Sequence, residues 1–451
     1  MSYVQNTDDD RREIVETIGV SSFEELLESI KPELRVMGDL KLAPPLREAE
    51  AERFFTELAG MNLPASRTAS FLGGGIYDRY IPAVVDYVLS RSEFYTSYTP
   101  YQAEASQGTL QAIYEYQTMI CRLTGMDAAN ASLYDGATAL AEAMLMAWSI
   151  RRGGKVIIPR ALSPTVRSVL KSYAVGKGIE IREIPFTEEG CTNCDRLKES
   201  LRDGASAVVL AQPNYFGMIE PAEEISTLAH ERKALLVAFV DPVSLAVLTP
   251  PGEYDADIAV GEGQSLGNPQ NFGGPLLGFM ATKKEHIRKC PGRLISGTVD
   301  TEGNRGYVMT LQTREQHIRR EKATSNICTN EGLCALAAAV YLSSLGEQGF
   351  REVAMQSMTK SHTLYRMLSD VPSCRLPFGD KFFQEFVLEV PITAEAFLHQ
   401  AKSKGILAGI PLWRDFRELD DGSLLVAVTE KRTKPELELY REIVSGIGGE
   451  K

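Results

Sequence analysis

No stretch of the 451-residue chain approaches the roughly 18 to 20 consecutive apolar residues needed to cross a bilayer, so no membrane-spanning helix is expected. The opening "MSYVQNTDDDRREIVETIGV" has neither the basic start nor the apolar middle of a secretory signal, and a cytoplasmic location is expected. A positive excess is also missing. Forty-eight Lys and Arg stand against sixty Asp and Glu, and a net charge of −12 repels phosphate backbones, which argues against nucleic acid as a partner. The seven cysteines are odd in number and scattered, and the one close pair, Cys191 and Cys194, has no second CxxC to complete a zinc site. Free thiols and no bound metal are expected, with a redox pair as the alternative. Internal repeats and low-complexity linkers are lacking too, so the lobes should be packed together and not tethered. The last absence is local. From Ala234 to Thr282 there is no Lys, Arg or His, while Asp241, Glu253, Asp255, Asp257 and Glu262 supply negative charge.

What is present reads as a large globular protein: 24% charged and 44% hydrophobic residues, and enough length for two or three lobes. The first eighty or so residues look helical and peripheral, with Ser22 and Glu25 as a candidate capping box. From residue 137, "ATALAEAMLMAWSI" predicts a helix that is apolar nearly all round and therefore buried. Then "KVIIPR", "IEIREI", "SAVVLA" and "ALLVAFV" predict short strands alternating with helices that begin at Ser163-Pro164 and lie near 194–203 and 220–232. That alternation implies right-handed crossovers and a mostly parallel sheet covered on both faces. After about residue 310 the order changes to helices near 331–345 and 350–369, an alternating strand "FQEFVLEV", a helix, the strand "SLLVAVTE" and a closing helix. This predicts a smaller α+β lobe with an antiparallel sheet.

Four stretches could carry chemistry. "FLGGGIYDRY" (71–80) lacks the preceding strand and following helix of a dinucleotide loop and reads as an ordinary glycine-rich turn. "YDGATALAEA" does open a helix whose free N–H groups could hold a phosphate, but Asp135 stands ready to cap that end itself. Asp241 ends a central strand, where an acid can hold a protonated ring nitrogen; followed by Pro242, it could equally just start a turn. "EFYTSYTPYQAEASQG" (93–108) gathers Tyr95, Tyr98 and Tyr101 around Pro100, with Gln102, Glu104 and Gln107 close behind. Proline forces Thr99 extended, so this is a structured loop that either packs lobes or subunits together or presents groups to a substrate. "TREQHIRREKATSNIC" (313–328) reads as a solvated basic helix, or as a basic wall facing an anion.

The order of these segments resembles one family, the glycine-decarboxylating P-protein of the glycine cleavage system, and specifically its N-terminal half, which in many bacteria is a separate subunit 1 or alpha chain. The resemblance runs over essentially the whole chain and is specific at "YTSYTPYQAEASQG", at "LTGMDAANASLYDGATALAEA" and at "GRLISGTVDTEGNRGYVMTLQTREQHIRREKATSNICTN". It implies a fold-type-I pyridoxal-phosphate architecture, with an N-terminal helical segment 1–80, a large α/β domain 81–310 and a small α+β domain 311–451. The implied reaction is loss of CO2 from cofactor-bound glycine and transfer of the aminomethyl group to the lipoyl arm of H-protein.

In the family the cofactor lysine lies in a His-Lys pair after a strand like "ADIAV". Laying that pattern on "ADIAVGEGQSLGNPQNFGGP" puts Gln264 and Ser265 there, an amide and a hydroxyl that cannot form a Schiff base. The resemblance therefore implies a chain with no cofactor of its own. It would pair with a lysine-bearing subunit 2 that carries pyridoxal 5'-phosphate, with Asp241 a vestigial ring-nitrogen partner. The loop of Tyr95, Tyr98, Tyr101, Gln102, Glu104 and Gln107 would face the sister's active site. Two alternatives stand beside it: a self-sufficient pyridoxal-phosphate enzyme using Lys283 or Lys284, and a purely structural scaffold subunit.

Overall fold

The computed structural model describes residues 5–36, 38, 40–64, 67–323 and 325–447. They form two compact units, one reaching Leu63 and the other starting at Pro64. The first holds the helices Asp8–Ile18, Phe23–Leu26 and Glu48–Gly60, none with a buried residue. Thr7 and Asp10 make a reciprocal capping box on the first helix, each side chain accepting the other's backbone N–H, at 3.2 and 2.7 Å. The expected box at Ser22 is half made. Ser22 Oγ accepts from Glu25 N at 3.3 Å, but the Glu25 carboxylate turns to the N–H and hydroxyl of Ser21 instead.

In the second unit the central sheet has seven strands in the order β2-β8-β7-β6-β5-β3-β4. These are β2 Ala128–Ala129, β3 Val156–Pro159, β4 Ile181–Ile184, β5 Ala207–Gln212, β6 Leu235–Val240, β7 Ile258–Glu262 and β8 Gly278–Thr282. The run from β4 to β7 is parallel, while β8 returns antiparallel to β7 and β2. Alternate residues serve two cores, as the two-residue period of a strand requires. Val208, Leu210, Leu236, Ala238 and Ala259 face one, and Ala207, Val209, Leu235, Val237 and Val260 the other. With both faces covered, the strands read as continuous apolar runs. The helix Gly136–Arg151, apolar nearly all round, lies in the second of these cores, closed off by Arg152 in the left-handed region.

The C-terminal part carries a three-stranded antiparallel sheet of β11 Glu385–Glu389, β14 Ser423–Ala427 and β13 Ile410–Pro411. β11, read as an alternating strand, is buried at all five positions because residues of a third core, that of the C-terminal lobe, pack around it. The two helices expected at 331–345 and 350–369 are present within Gly332–Ser369, separated at Gly346, whose φ of 62° favours glycine. Ala69–Ser70 pairs in parallel with Ile406–Leu407, which joins the segment after Pro64 to the C-terminal lobe. The stretch 313–328 is not the basic helix its charges suggest. Only Gln316–Arg319 is α-helical, and the Arg314 guanidinium is spent on the carbonyls of Cys290 and Gly292. Among the described residues no helix is long and apolar enough to cross a membrane.

Candidate functional site

The carboxyl ends of β5, β6 and β7 lie side by side, Gln212 opposite Val240 and Val240 opposite Gly261. Ligands of open α/β sheets bind at this edge, and a cavity of about 60 Å³ lies there, lined by Gly74, Tyr77, Pro213, Asp241, Glu262 and Glu385 among others. No lysine lines it among the described residues.

Three acids meet the cavity, Glu385 buried and Asp241 and Glu262 half-buried, and each is held by at least one donor from a distant part of the chain. Asp241 Oδ1 accepts from Val243 N at 2.9 Å and Oδ2 from the Gln384 amide at 2.8 Å. Burial pushes its pKa up against the pull of Arg79 and of the backbone N–H groups. Glu385 accepts from Gly74 N at 2.7 Å and from the Tyr77 hydroxyl at 2.9 Å, yet burial still raises it to about 7. Glu262 ends β7 and collects three backbone donors, Gly136 N, Gln264 N and Leu277 N, all at 2.9 Å; burial raises it too to about 7. The first of these contacts needs a glycine, because a Cβ at position 136 would come within 2.9 Å of Glu262.

Gln264 and Ser265 are both buried behind this wall. The Gln264 amide accepts from Tyr77 N at 2.9 Å and donates to Tyr77 O at 3.2 Å and Asn268 O at 2.7 Å. The "GGGIYDRY" segment, which the sequence presents as an ordinary turn, is therefore the wall that closes the cavity. Arg79 extends it to the C-terminal lobe, bonding Glu430 and Gln384 at 2.6 Å and Ser357 at 3.2 Å. Nothing in the sequence signals this network: Arg79 and Glu430 are 351 positions apart.

Lys283 and Lys284 lie at the opposite edge. Thr282 pairs with Ile258 at the start of β7, so the length of that strand, about 15 Å, separates them from the cavity. Lys283 Nζ is bound to Asp255 at 2.8 Å and to Asp257 at 2.9 Å. Asp257, Glu285 and His286 place donor atoms within 4.8 Å of one another, the one spacing among the described residues that could suit a metal ion, but the Lys283 ammonium already bonds Asp257 there. The Cys191 and Cys194 thiols are free, and burial pushes both up to about 12, so neither is a reactive thiolate.

The tyrosine-rich loop borders a second cavity, of about 320 Å³, with Tyr98, Pro100, Arg293, Thr329, Asn330 and Gly332 on its wall. Pro100 is buried and anchors the loop, whereas Tyr95, Tyr98 and Tyr101 are exposed, Tyr98 at 84%. Gln102 and Glu104 are exposed as well. Gln107 turns inward: its amide accepts from Tyr307 N at 2.8 Å and donates to Tyr307 O and Ala103 O, fixing the loop to β10, Arg305–Thr310. Arg293, which lies in one of the stretches specific to the resemblance but has no role assigned to it there, is buried under the loop. It donates to Thr329 Oγ1, Asn330 Oδ1 and Cys328 O, and its guanidinium stands 5.8 Å from the centre of the Tyr101 ring.

A mainly parallel sheet with an acid at the end of a central strand, joined to a smaller antiparallel lobe, is the architecture of the pyridoxal-phosphate-dependent transferases. A NifS-like protein of Rickettsia africae shares it with a TM-score of 0.63 over 84% of this chain and 99% of that one, at only 13% identity. The family model described as glycine cleavage system P-protein matches residues 1–443, and the chain belongs to that family. It is 51% identical over 447 residues to a probable glycine dehydrogenase (decarboxylating) subunit 1 of Chlorobium limicola, covering 99% of this chain and all of that one. The corresponding protein of Carboxydothermus hydrogenoformans is 50% identical over 446 residues, with the same coverage. A crystal structure of glycine decarboxylase (P-protein) in inhibitor-bound form matches with a TM-score of 0.89 at 42% identity, covering 99% of this chain and 100% of that one.

Proposed function

We propose that this chain is the subunit of a heteromeric glycine decarboxylase that holds no cofactor and completes the active site of a lysine-bearing sister. The observation that carries the reading is the fate of the lysine position: Gln264 and Ser265 are buried, and the Gln264 amide is consumed by Tyr77 and Asn268. Neither side chain can form the imine on which such chemistry depends. Pyridoxal phosphate supplies the electron sink that lets glycine lose CO2, and in this reading the sister holds it. The aminomethyl group then passes to the lipoyl arm of H-protein, all within the cytoplasm.

On this chain the working surface is the tyrosine-rich loop. Tyr98 and Tyr101 offer exposed rings and hydroxyls beside a cavity large enough for a substrate, and Arg293 keeps the loop and the start of the helix Gly332–Ser369 in register. Purification of the chain with and without the sister subunit tests the assignment. Alone it should be colourless and inactive, and adding the sister should produce glycine-dependent CO2 release with one cofactor per pair of subunits. A chain that takes up one equivalent of pyridoxal phosphate by itself would overturn it.

A further inference from the structure

A ring cofactor with a phosphate asks three things of this sheet edge: a seat for the anion at a helix N-terminus, an acid for the ring N–H, and an amine. The chain answers the first two from within itself. The anion seat is the start of the helix Gly136–Arg151, and it is taken. Glu262 reaches across from the end of β7 and accepts the Gly136 N–H, while Gln264 N and Leu277 N close on its other oxygen, all three at 2.9 Å. Asp135 caps the same helix end by accepting from Thr138 N at 2.7 Å, so a second carboxylate guards the seat. The ring acid is taken as well, since Gln384 donates its amide to Asp241 at 2.8 Å. Ser265, where an amine would stand, is buried, and its neighbour Gln264 is locked to the backbone of Tyr77 and Asn268. What remains is a cavity of about 60 Å³, well under the roughly 150 Å³ that accepts a benzene ring.

We infer that this cradle is self-occupied, with the Glu262 carboxylate in the anion seat and the Gln384 amide on Asp241, so that the chain folds with the site filled and takes up no pyridoxal phosphate. A phosphate entering the seat would have to share it with a half-buried carboxylate that is covalently tethered and already holds three N–H donors. A tethered anion wins because its association entropy is spent in folding. The wall over the cavity is fastened by the same acids: Gly74 N and the Tyr77 hydroxyl both bond Glu385, across the gap between the lobes. The inference concerns the chain's own cradle and holds whatever the sister subunit contributes.

The test uses the purified full chain without its sister, at mildly alkaline pH. Glu262→Ala leaves three converging N–H groups without an acceptor, and the variant should melt about 5 °C below the wild type. Sodium formate or acetate, compared with chloride at equal ionic strength, should restore about half of that loss in the variant and leave the wild type unmoved. The wild type dialysed against pyridoxal phosphate should retain none and gain no visible absorbance. If Glu262→Ala does not fold, Glu262→Gln serves, since its amide sets an N–H against an N–H; it should also melt lower. Retention of pyridoxal phosphate or inorganic phosphate by the wild type overturns the inference. So does a variant that carboxylates stabilise no more than chloride does, or a Glu262→Gln chain as stable as the wild type.

Discussion

Replacing Gln264 with leucine shortens the side chain by one bond and removes its amide. Three backbone groups of buried residues then lose their partners: Tyr77 N, Tyr77 O and Asn268 O. A buried group left unpaired costs about 1–3 kcal/mol, and the added apolar surface returns about 1–2 kcal/mol. The net loss is about 1–8 kcal/mol, centred on about 4–5, a large part of the roughly 5–15 kcal/mol that a folded chain has. Urea unfolding of the full chain measures it. The two tryptophans, Trp148 beside the central sheet and Trp413 in the C-terminal lobe, show whether the lobes unfold together, the condition for a single free energy. Gln264→Glu is the informative companion: it keeps the acceptor for Tyr77 N and loses both donations, so it should fall between wild type and leucine near neutral pH. A Gln264→Leu chain within about 1 kcal/mol of wild type, with an unchanged urea slope, would refute the hydrogen-bonded lock.

Glu385 sets a pH dependence. Its pKa is raised from 4.5 in the unfolded chain to about 7 by burial, so the folded state holds an extra proton between those values. The stability this contributes is present below about pH 4.5 and is lost as pH rises through 7, up to about 3 kcal/mol for one group. Glu385→Gln should flatten that part of the stability–pH curve, and equal slopes for variant and wild type would contradict the assignment. Gly217 has a φ of 83° and lies so close to the Glu385 carbonyl that a Cβ would overlap it, so Gly217→Ala should lower stability by about 3 kcal/mol or more, read as a drop in Tm. Tyr98→Ala, at a residue 84% exposed, should leave the melting temperature of this chain within a degree or so of wild type while cutting glycine-dependent CO2 release by the reconstituted complex at least about tenfold. Unimpaired turnover would reduce the loop to packing. Lys284→Ala, on the far edge of the sheet, should leave turnover unchanged; its loss in a folded chain would revive the lysine alternative.

The parts of the fold legible in the sequence are those whose forces are local. The strands of the central sheet are apolar runs because both their faces are buried, and the helix that begins at Ser163 and Pro164 carries its own start signal. The pattern failed where packing overrides it. β11 alternates in sequence yet is buried throughout, and the basic stretch after Thr313 spends Arg314 on carbonyls that nothing nearby in sequence foretells. Within the site, Gln264 and Ser265 stood out because a motif has a fixed spacing. Arg79 and Glu385 did not, because each is defined by partners hundreds of positions away, and Arg293 did not, because its partners lie 35 to 37 positions on in a stretch with no pattern of its own.

Sequence alone determined the architecture and the family, and it puts an amide and a hydroxyl at positions 264 and 265, since covalent identity at a position settles whether an amine is there. It also marked Asp135 as the cap of its helix, a bond between neighbours. Tertiary structure decided what fills the end of the helix at Gly136. Glu262 is one more acid in an acidic stretch until β7 and the helix at Gly136 meet, and only then do three separate backbone segments aim their N–H groups at one carboxylate. Hydrogen bonds of that kind depend on direction and distance in space, which a linear pattern does not encode.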